Sequence, residues 1–238
     1  MKTVIPEYRI RQSRKSKNVR LKVTREEGLC VVIPHGFDEN RIPAILNRKK
    51  VWIVEAMKRI GETRRFLEPK SATHLPDSVN LAALSETWSV VYREDKTKSG
   101  LWLRADKGEL VITGTAFNRE DVIRKLKDWL RLRVRENLFP IAEKLAASHN
   151  FKLGGLLVKS QRTRWASCSV KRNLSLNTKL LFISPELVRY VLIHELCHTE
   201  HMNHSSEFWR LVQPHEPQFR ILDQQLREAW KRVPQWMF

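Results

Sequence analysis

The sequence predicts an α+β chain. An N-terminal β-rich region of hairpin-plus-helix units comes first, followed by a long helix, a β-hairpin or small sheet, and a metal-binding helix. Three observations carry this expectation. Short strand patterns bounded by turn residues dominate the first half, as in "VRLKV" and "LCVVI" around "TREEG". A 3.6-residue apolar period takes over from Asn118. The pattern H-E-x-x-H stands at His194–His198 within a helical stretch.

Each element has a local reason. "VRLKV" and "LCVVI" form a hairpin, and the helix after it places Ile42, Leu46, Trp52, Ala56 and Ile60 roughly on one face. Asp38 or Asn40 caps its start, and Pro43 is tolerated because first-turn amides lack helical partners. A similar unit recurs eighty residues later, with Leu21, Gly28, Val31, Phe37 and Leu46 matched by Leu101, Gly108, Val111, Phe117 and Leu126. Each unit leaves an apolar face that a second copy can cover. "SVNLAAL" and "TWSVVYRE" read as strands between them.

From Asn118 one long amphipathic helix carries Val122, Leu126, Trp129, Leu130 and Val134, and Pro140 kinks or splits it. "GGLLVKS" is a strand, and "TRWASCSVKRNLSLN" a hairpin turning near Lys171–Asn173. Ser184-Pro185-Glu186 opens the metal helix with an N-cap, a first-turn proline and an acid. "QFRILDQQLREAW" supplies a last helix. The change of pattern sets a boundary near residue 116, dividing a β-rich region at 1–115 from a second region at 116–238.

Composition narrows the class. The chain has 238 residues, 42% hydrophobic and 29% charged, enough for a sizeable core and ordinary for a soluble protein. Cys30, Cys168 and Cys197 are too far apart to imply a disulfide framework, so a cytoplasmic setting is expected. The N-terminus lacks the apolar run of a signal peptide, and no stretch reaches transmembrane length, so no membrane partner is expected. The net charge of +18 admits nucleic acid or nucleotide as a partner. Against that, the basic residues of "RQSRKSKNVRLK", "NRKK" and "KRIGETRR" are dispersed among structural positions.

"HELCHTEHMNHSSEFW" carries the chemistry. Residues four apart on a helix lie about 6 Å apart along the axis and about 40° around it, so His194 and His198 can share one Zn²⁺. Glu195 faces the same neighbourhood as a general base. A third ligand is needed. His201 is collinear with the first two and cannot complete a tetrahedron, which makes it a rim, outer-shell or substrate contact. His204 becomes well placed if the chain turns back, and Asn203, which tolerates the left-handed conformation, offers that turn. Ser205 or Ser206 then caps a short helix pinned by Phe208, Leu211 and Val212. The order of preference is His204, then Glu216, then His201, with Glu207 last.

The chain resembles the YgjP-like metal-dependent hydrolases, relatives of the SprT and Wss-type metallopeptidases. The resemblance rests on "TRWASCS" (163–169), "NLSLN" (173–177), "YVLIHELCH" (190–198) and "NHSSEFW" (203–209). It implies a zincin-like domain over 116–238, with zinc held by His194, His198 and His204 and Glu195 catalytic. Ala166 departs from the family, which usually has glycine there. Zincins in general border the cleft with a strand that pairs with peptide substrate, a role open to the hairpin Arg164–Asn177. Arg164, Ser167 and Asn177 are candidate substrate or outer-shell donors there; Trp165 and Cys168 read as core, and Tyr190 as packing.

The expected function is a zinc metallohydrolase, foremost a metallopeptidase acting on protein or peptide. The alternatives are a zinc-dependent nucleotide or phosphoester hydrolase, and a nucleic-acid-associated protease or binding protein. A purely structural zinc is disfavoured, because such sites are closed four-ligand cages without a spare glutamate.

Overall fold

Three strands build the first sheet: β1 (Tyr8–Ser13), β2 (Arg20–Thr24) and β3 (Gly28–Pro34). The computed structural model describes residues 7–14, 16–24, 28–57 and 75–238. β3 is central, parallel to β1 and antiparallel to β2. Alternation along β3 turns Leu29, Val31 and Ile33 to one face, where they meet Ile42, Leu46 and Ile53. Asp38 is the cap, its carboxylate accepting from the Asn40 N–H at 3.0 Å. Helix α1 (Ile42–Arg48) breaks at Lys49 and resumes as α2 over 50–57. Ile53 therefore carries the apolar stripe, seven residues or about two turns from Leu46. Trp52, expected on that stripe, is 41% exposed. Ile60 and "KRIGETRR" lie outside the described residues.

The second sheet runs in the order β4-β5-β7-β6, with β4 (Ser78–Leu81), β5 (Glu86–Glu94), β6 (Trp102–Asp106) and β7 (Glu109–Gly114). Here β5 is parallel to β7 and β6 antiparallel to it. Helix α3 (Arg119–Arg133) follows, capped by the Asn118 side chain, which accepts from the Glu120 N–H at 2.8 Å. This arrangement of strands and helix matches that of β1, β2, β3 and α1. A third sheet repeats it again: β8 (Gly155–Lys159), β9 (Ala166–Cys168) and β10 (Asn173–Asn177) in the order β8-β10-β9, with β8 parallel and β9 antiparallel to β10. In all three sheets the last strand is entered at a left-handed residue: Gly28 (φ 66°), Gly108 (φ 83°) and Arg172 (φ 60°). The third copy shares neither the spacing nor the turn glycine of the other two, which is why its pattern is not legible in the sequence. The helix that follows it, α5 (Pro185–Cys197), carries His194, Glu195 and the approach to His198.

Pro140 acts as expected. Lacking an N–H, and crowding the carbonyl four residues back, it leaves a π-helical turn over Val134–Leu138 between α3 and α4 (Phe139–Ser148). The Asn137 side chain donates to the Arg133 carbonyl across this turn at 2.8 Å. Leu126, Leu130, Val134, Leu138 and Ala142 stay on one fully buried stripe throughout, in one core with Leu176, Leu192 and Leu196.

The chain divides into two units, Met1–Lys70 and Ser71–Phe238. β4 to β7 therefore share a unit with α5, and the division falls earlier than the change of pattern near residue 116. No helix among the described residues is long and apolar enough to cross a membrane.

A buried lysine anchors the turn before α5. Lys179 is 1% exposed, its Nζ donating to the Gln161 carbonyl at 2.8 Å and lying 4.6 Å from the centre of the Phe238 ring. Burial, aided by Lys127 and Arg162, brings its ammonium down to about 8. The unfolded chain holds that proton up to the ordinary lysine value of about 10.4. Between these values the unfolded state binds more protons, so this group adds stability as pH rises through that window and nothing below it. In urea unfolding, wild type should therefore gain on Lys179→Met between pH 7 and pH 10. A stability difference constant over that interval would show an ordinary ammonium.

Candidate metal centre

Helix α5 runs through the core, with Leu187, Val188, Tyr190 to Ile193, Leu196 and Cys197 all buried. Ser184 is its N-cap by backbone conformation, without a side-chain bond, and Pro185 takes the first position. His194 and His198 emerge on one side, one turn apart. The helix then tightens. The Thr199 amide bonds the Leu196 carbonyl at 2.9 Å, the Thr199 hydroxyl donates to the same carbonyl at 2.7 Å, and the Glu200 and His201 amides reach the Cys197 carbonyl.

The chain reversal differs from the expected one. The described non-glycine residues in the left-handed region are Ser85, Lys107, Asn150 and Arg172, and Asn203 is not among them. Right-handed turns after Cys197 bring the chain back instead. Helix α6 (Ser206–His215) begins after Ser205 and is held by the fully buried Phe208 and Val212. The Phe208 ring stacks on His198, with centroids 4.5 Å apart, and stands 5.0 Å from His194 and 4.9 Å from His204. It forms an apolar wall behind the three imidazoles.

Ligand-capable nitrogens of His194, His198 and His204 all lie within 4.8 Å of one another, and this is the group of three or more such side chains found among the described residues. The His194 and His204 Nε2 atoms face each other at 2.9 Å. His198 Nδ1 lies 2.8 Å from the His201 carbonyl. A carbonyl can only accept, so Nδ1 carries the proton and Nε2 keeps its lone pair. His201 thus contributes its backbone, not its ring. Burial first, then the neighbouring histidines, brings His194 down to about 4, and burial likewise lowers His198. Both are therefore neutral imidazoles at pH 7, the form that donates to a metal. The rival ligands are engaged elsewhere. Glu216 is bound by Arg189 at 2.5 Å, and Glu207 pairs with Arg210 and Ser206, each at 2.9 Å.

Glu195 is 9% exposed and borders the same cleft. Burial pushes its carboxyl up to about 7, against the Cys168 backbone N–H and the charge of Arg164, which both pull it down. The cleft has a volume of about 540 Å³, and β9 forms one wall with Ala166, Ser167 and Cys168. Arg164 stands exposed beside that strand and lines the cleft. Cys168 belongs to the cleft as well as to the packing behind it, a correction to its reading as core alone.

Asn177 does not line the cleft. It is fully buried, and its amide donates to the Gln161 and Arg164 carbonyls at 2.8 and 2.7 Å while its oxygen accepts from the Lys179 N–H at 3.1 Å. Its role is to shape the loop before β9. Asn177→Ala is expected to cost about 2 kcal/mol of stability by removing a helix cap and the amide donor to the Arg164 carbonyl, while the Gln161 carbonyl keeps Lys179. Urea denaturation measures this, and a loss below about 1 kcal/mol would contradict the role.

The far wall carries residues that sequence reasoning did not place. Asp223 and Leu226, on α7 (Phe219–Glu228), line the cleft with Tyr190 and Met202. The Tyr190 hydroxyl points to Asp223 at 3.5 Å, and its pKa is raised by burial and that carboxylate. No local signal marks Asp223, since only packing of α7 against α5 brings it to the site.

A family model described as "YgjP-like, metallopeptidase domain" matches residues 17–229. No curated protein matches the chain. Among solved structures, the metallopeptidase zymogen abylysin of Pyrococcus abyssi is 24% identical, with 40% of this chain and 95% of that chain covered and a TM-score of 0.36.

Proposed function

The chain belongs to the YgjP-like metallopeptidase family, and from that premise we propose a zinc-dependent peptidase in which His194, His198 and His204 hold the ion and Glu195 is the general base. The observation that carries this reading is the convergence of three histidine nitrogens beside a buried glutamate and a cleft-lining edge strand. The donor set fits zinc. Tetrahedral zinc with nitrogen ligands at about 2.0–2.1 Å holds them roughly 3.4 Å apart, within reach of small side-chain adjustments here. Three protein nitrogens also leave a coordination position open, as catalytic sites require.

When bound, zinc supplies a Lewis acid that acidifies water and polarises a carbonyl. The chain's own residues do the rest. The Glu195 carboxylate accepts a proton from the attacking water and returns it to the departing amine. The Cys168 N–H orients that carboxylate, and burial makes it basic enough for the task. β9 has β10 as its strand partner, so its other edge is available to an extended substrate segment. Arg164, at the start of that edge, is placed to meet a substrate carbonyl or terminal carboxylate.

A protein or peptide substrate also suits the charges. Arg164 is the cationic side chain lining the cleft, whereas Glu195 and Asp223 both bring carboxylates to it. Beside the ion itself, such a lining offers a polyphosphate one guanidinium. Zinc-loaded protein incubated with an unfolded protein and, separately, with nucleoside triphosphates tests the choice. New peptide termini that vanish with a chelator and return with zinc support the reading. Nucleotide hydrolysis with intact protein would overturn it.

A further inference from the structure

The sheet formed by β4 to β7 has a solvent face that the metal cleft does not use. Register places Arg93, Thr113 and Trp102 in one row across β5, β7 and β6, and Val91, Val111 and Arg104 in the next. The opposite face, with Val90, Leu110 and Ile112, is buried in the core. Trp102 is 60% exposed, unusual for an indole, whose apolar faces normally find packing partners. Around it lies a shallow groove of about 720 Å³ lined by Arg93, Lys98, Arg104 and Lys107. Two carboxylates share the groove, Glu109 facing Arg93 at 3.7 Å and Asp106 facing Arg104 at 3.4 Å. These ion pairs are long and exposed, so they are worth little and exchange readily for another anion.

We propose that this face binds single-stranded nucleic acid, with an unpaired base stacked on Trp102 and the phosphates on Arg93, Arg104 and their lysine neighbours. A sheet presenting an exposed aromatic among cations offers both parts of such a ligand, a flat π surface for the base and mobile charges for the backbone. Neighbouring strands lie about 4.8 Å apart and alternate residues on one strand about 6.7 Å apart, so Arg93 and Arg104 flank Trp102 at nucleotide-scale distances. A duplex offers the charge but keeps its bases stacked, which leaves Trp102 without a partner. An acidic peptide offers charge without a flat π face. The chain's net charge of +18 adds long-range attraction for the same ligand. The groove lies wholly within residues 71–238 and shares no lining residue with the metal cleft, so the proposal stands apart from the peptidase reading.

Fluorescence anisotropy of a labelled oligothymidylate titrated with the full zinc-loaded chain tests it. Wild type and Glu195→Gln are expected to bind alike. Trp102→Ala is expected to weaken binding about tenfold while Trp102→Phe retains most of it, because one stacked base is lost. Arg93→Ala and Arg104→Ala should each flatten the slope of log Kd against log salt by about 0.7. The Trp102, Arg93 and Arg104 side chains are all three exposed, and an unchanged urea midpoint verifies folding. No binding by wild type would overturn the proposal. So would Trp102→Ala and Arg104→Ala variants that bind like wild type, a duplex bound as tightly as the single strand, or polyglutamate competing equally well at matched charge.

Discussion

Glu195→Gln is expected to retain zinc at wild-type stoichiometry and to lose peptide hydrolysis by a factor of about 10³, the middle of the range for a general acid–base group. The variant is close to isosteric. Its side-chain oxygen can still accept the Cys168 N–H, so the helix, the cleft wall and the three histidines have no reason to move. What disappears is the ability to take and return a proton. Burial pushes the carboxyl up to about 7, and a dication held by the adjacent histidines would lower it again, keeping the base ionised at neutral pH. The measurement pairs zinc content with initial rates on an unfolded protein substrate. Turnover retained by zinc-replete Glu195→Gln would remove Glu195 from the base role. Loss of zinc together with activity would mean that Glu195 supports the site structurally.

His204→Ala should weaken zinc binding by more than about a hundredfold, since removing even an outer-shell partner of a metal ligand costs ten- to a hundredfold. His201→Ala should change it little, despite lying closer in sequence to His198. The contrast follows from which atoms are used. His204 brings its ring Nε2 to within 2.9 Å of the His194 ring, whereas His201 offers its backbone carbonyl to His198, and alanine offers the same carbonyl. Competition against a chelator of known affinity gives both numbers. Zinc-dependent thermal stabilisation gives an independent check, because a ligand that binds only the folded state raises its stability with the logarithm of concentration over Kd. The opposite ranking would return His201 to the ligand set and displace His204.

The parts of this protein that follow a local rule were legible in its residues. The start of a helix just after Asp38 or Asn40 and of another from Asn118, the Pro140 break and the opening of α5 at Ser184-Pro185 each depend on a few adjacent positions. His194 and His198 fall under the same heading, because helical geometry alone puts residues four apart on one side. Where a rule had more than one way of being met, the sequence left the choice open. Ile53 displaced Trp52 from the core because exposed and buried faces of a helix differ by a single residue step. The return of His204 looked like work for Asn203, yet successive right-handed turns and the buried Phe208 accomplish it.

By itself, then, the sequence determined the α+β class, the strand and helix periods, the histidine pair and its glutamate. Tertiary structure decided which third histidine ring lies beside them, that Asn177 holds a loop while Arg164 faces the cleft, and that Asp223 and β9 wall the cleft. Those outcomes depend on residues far apart in the chain meeting across packed elements. Close packing of side chains, which no short stretch encodes, settles which of several locally permitted arrangements survives.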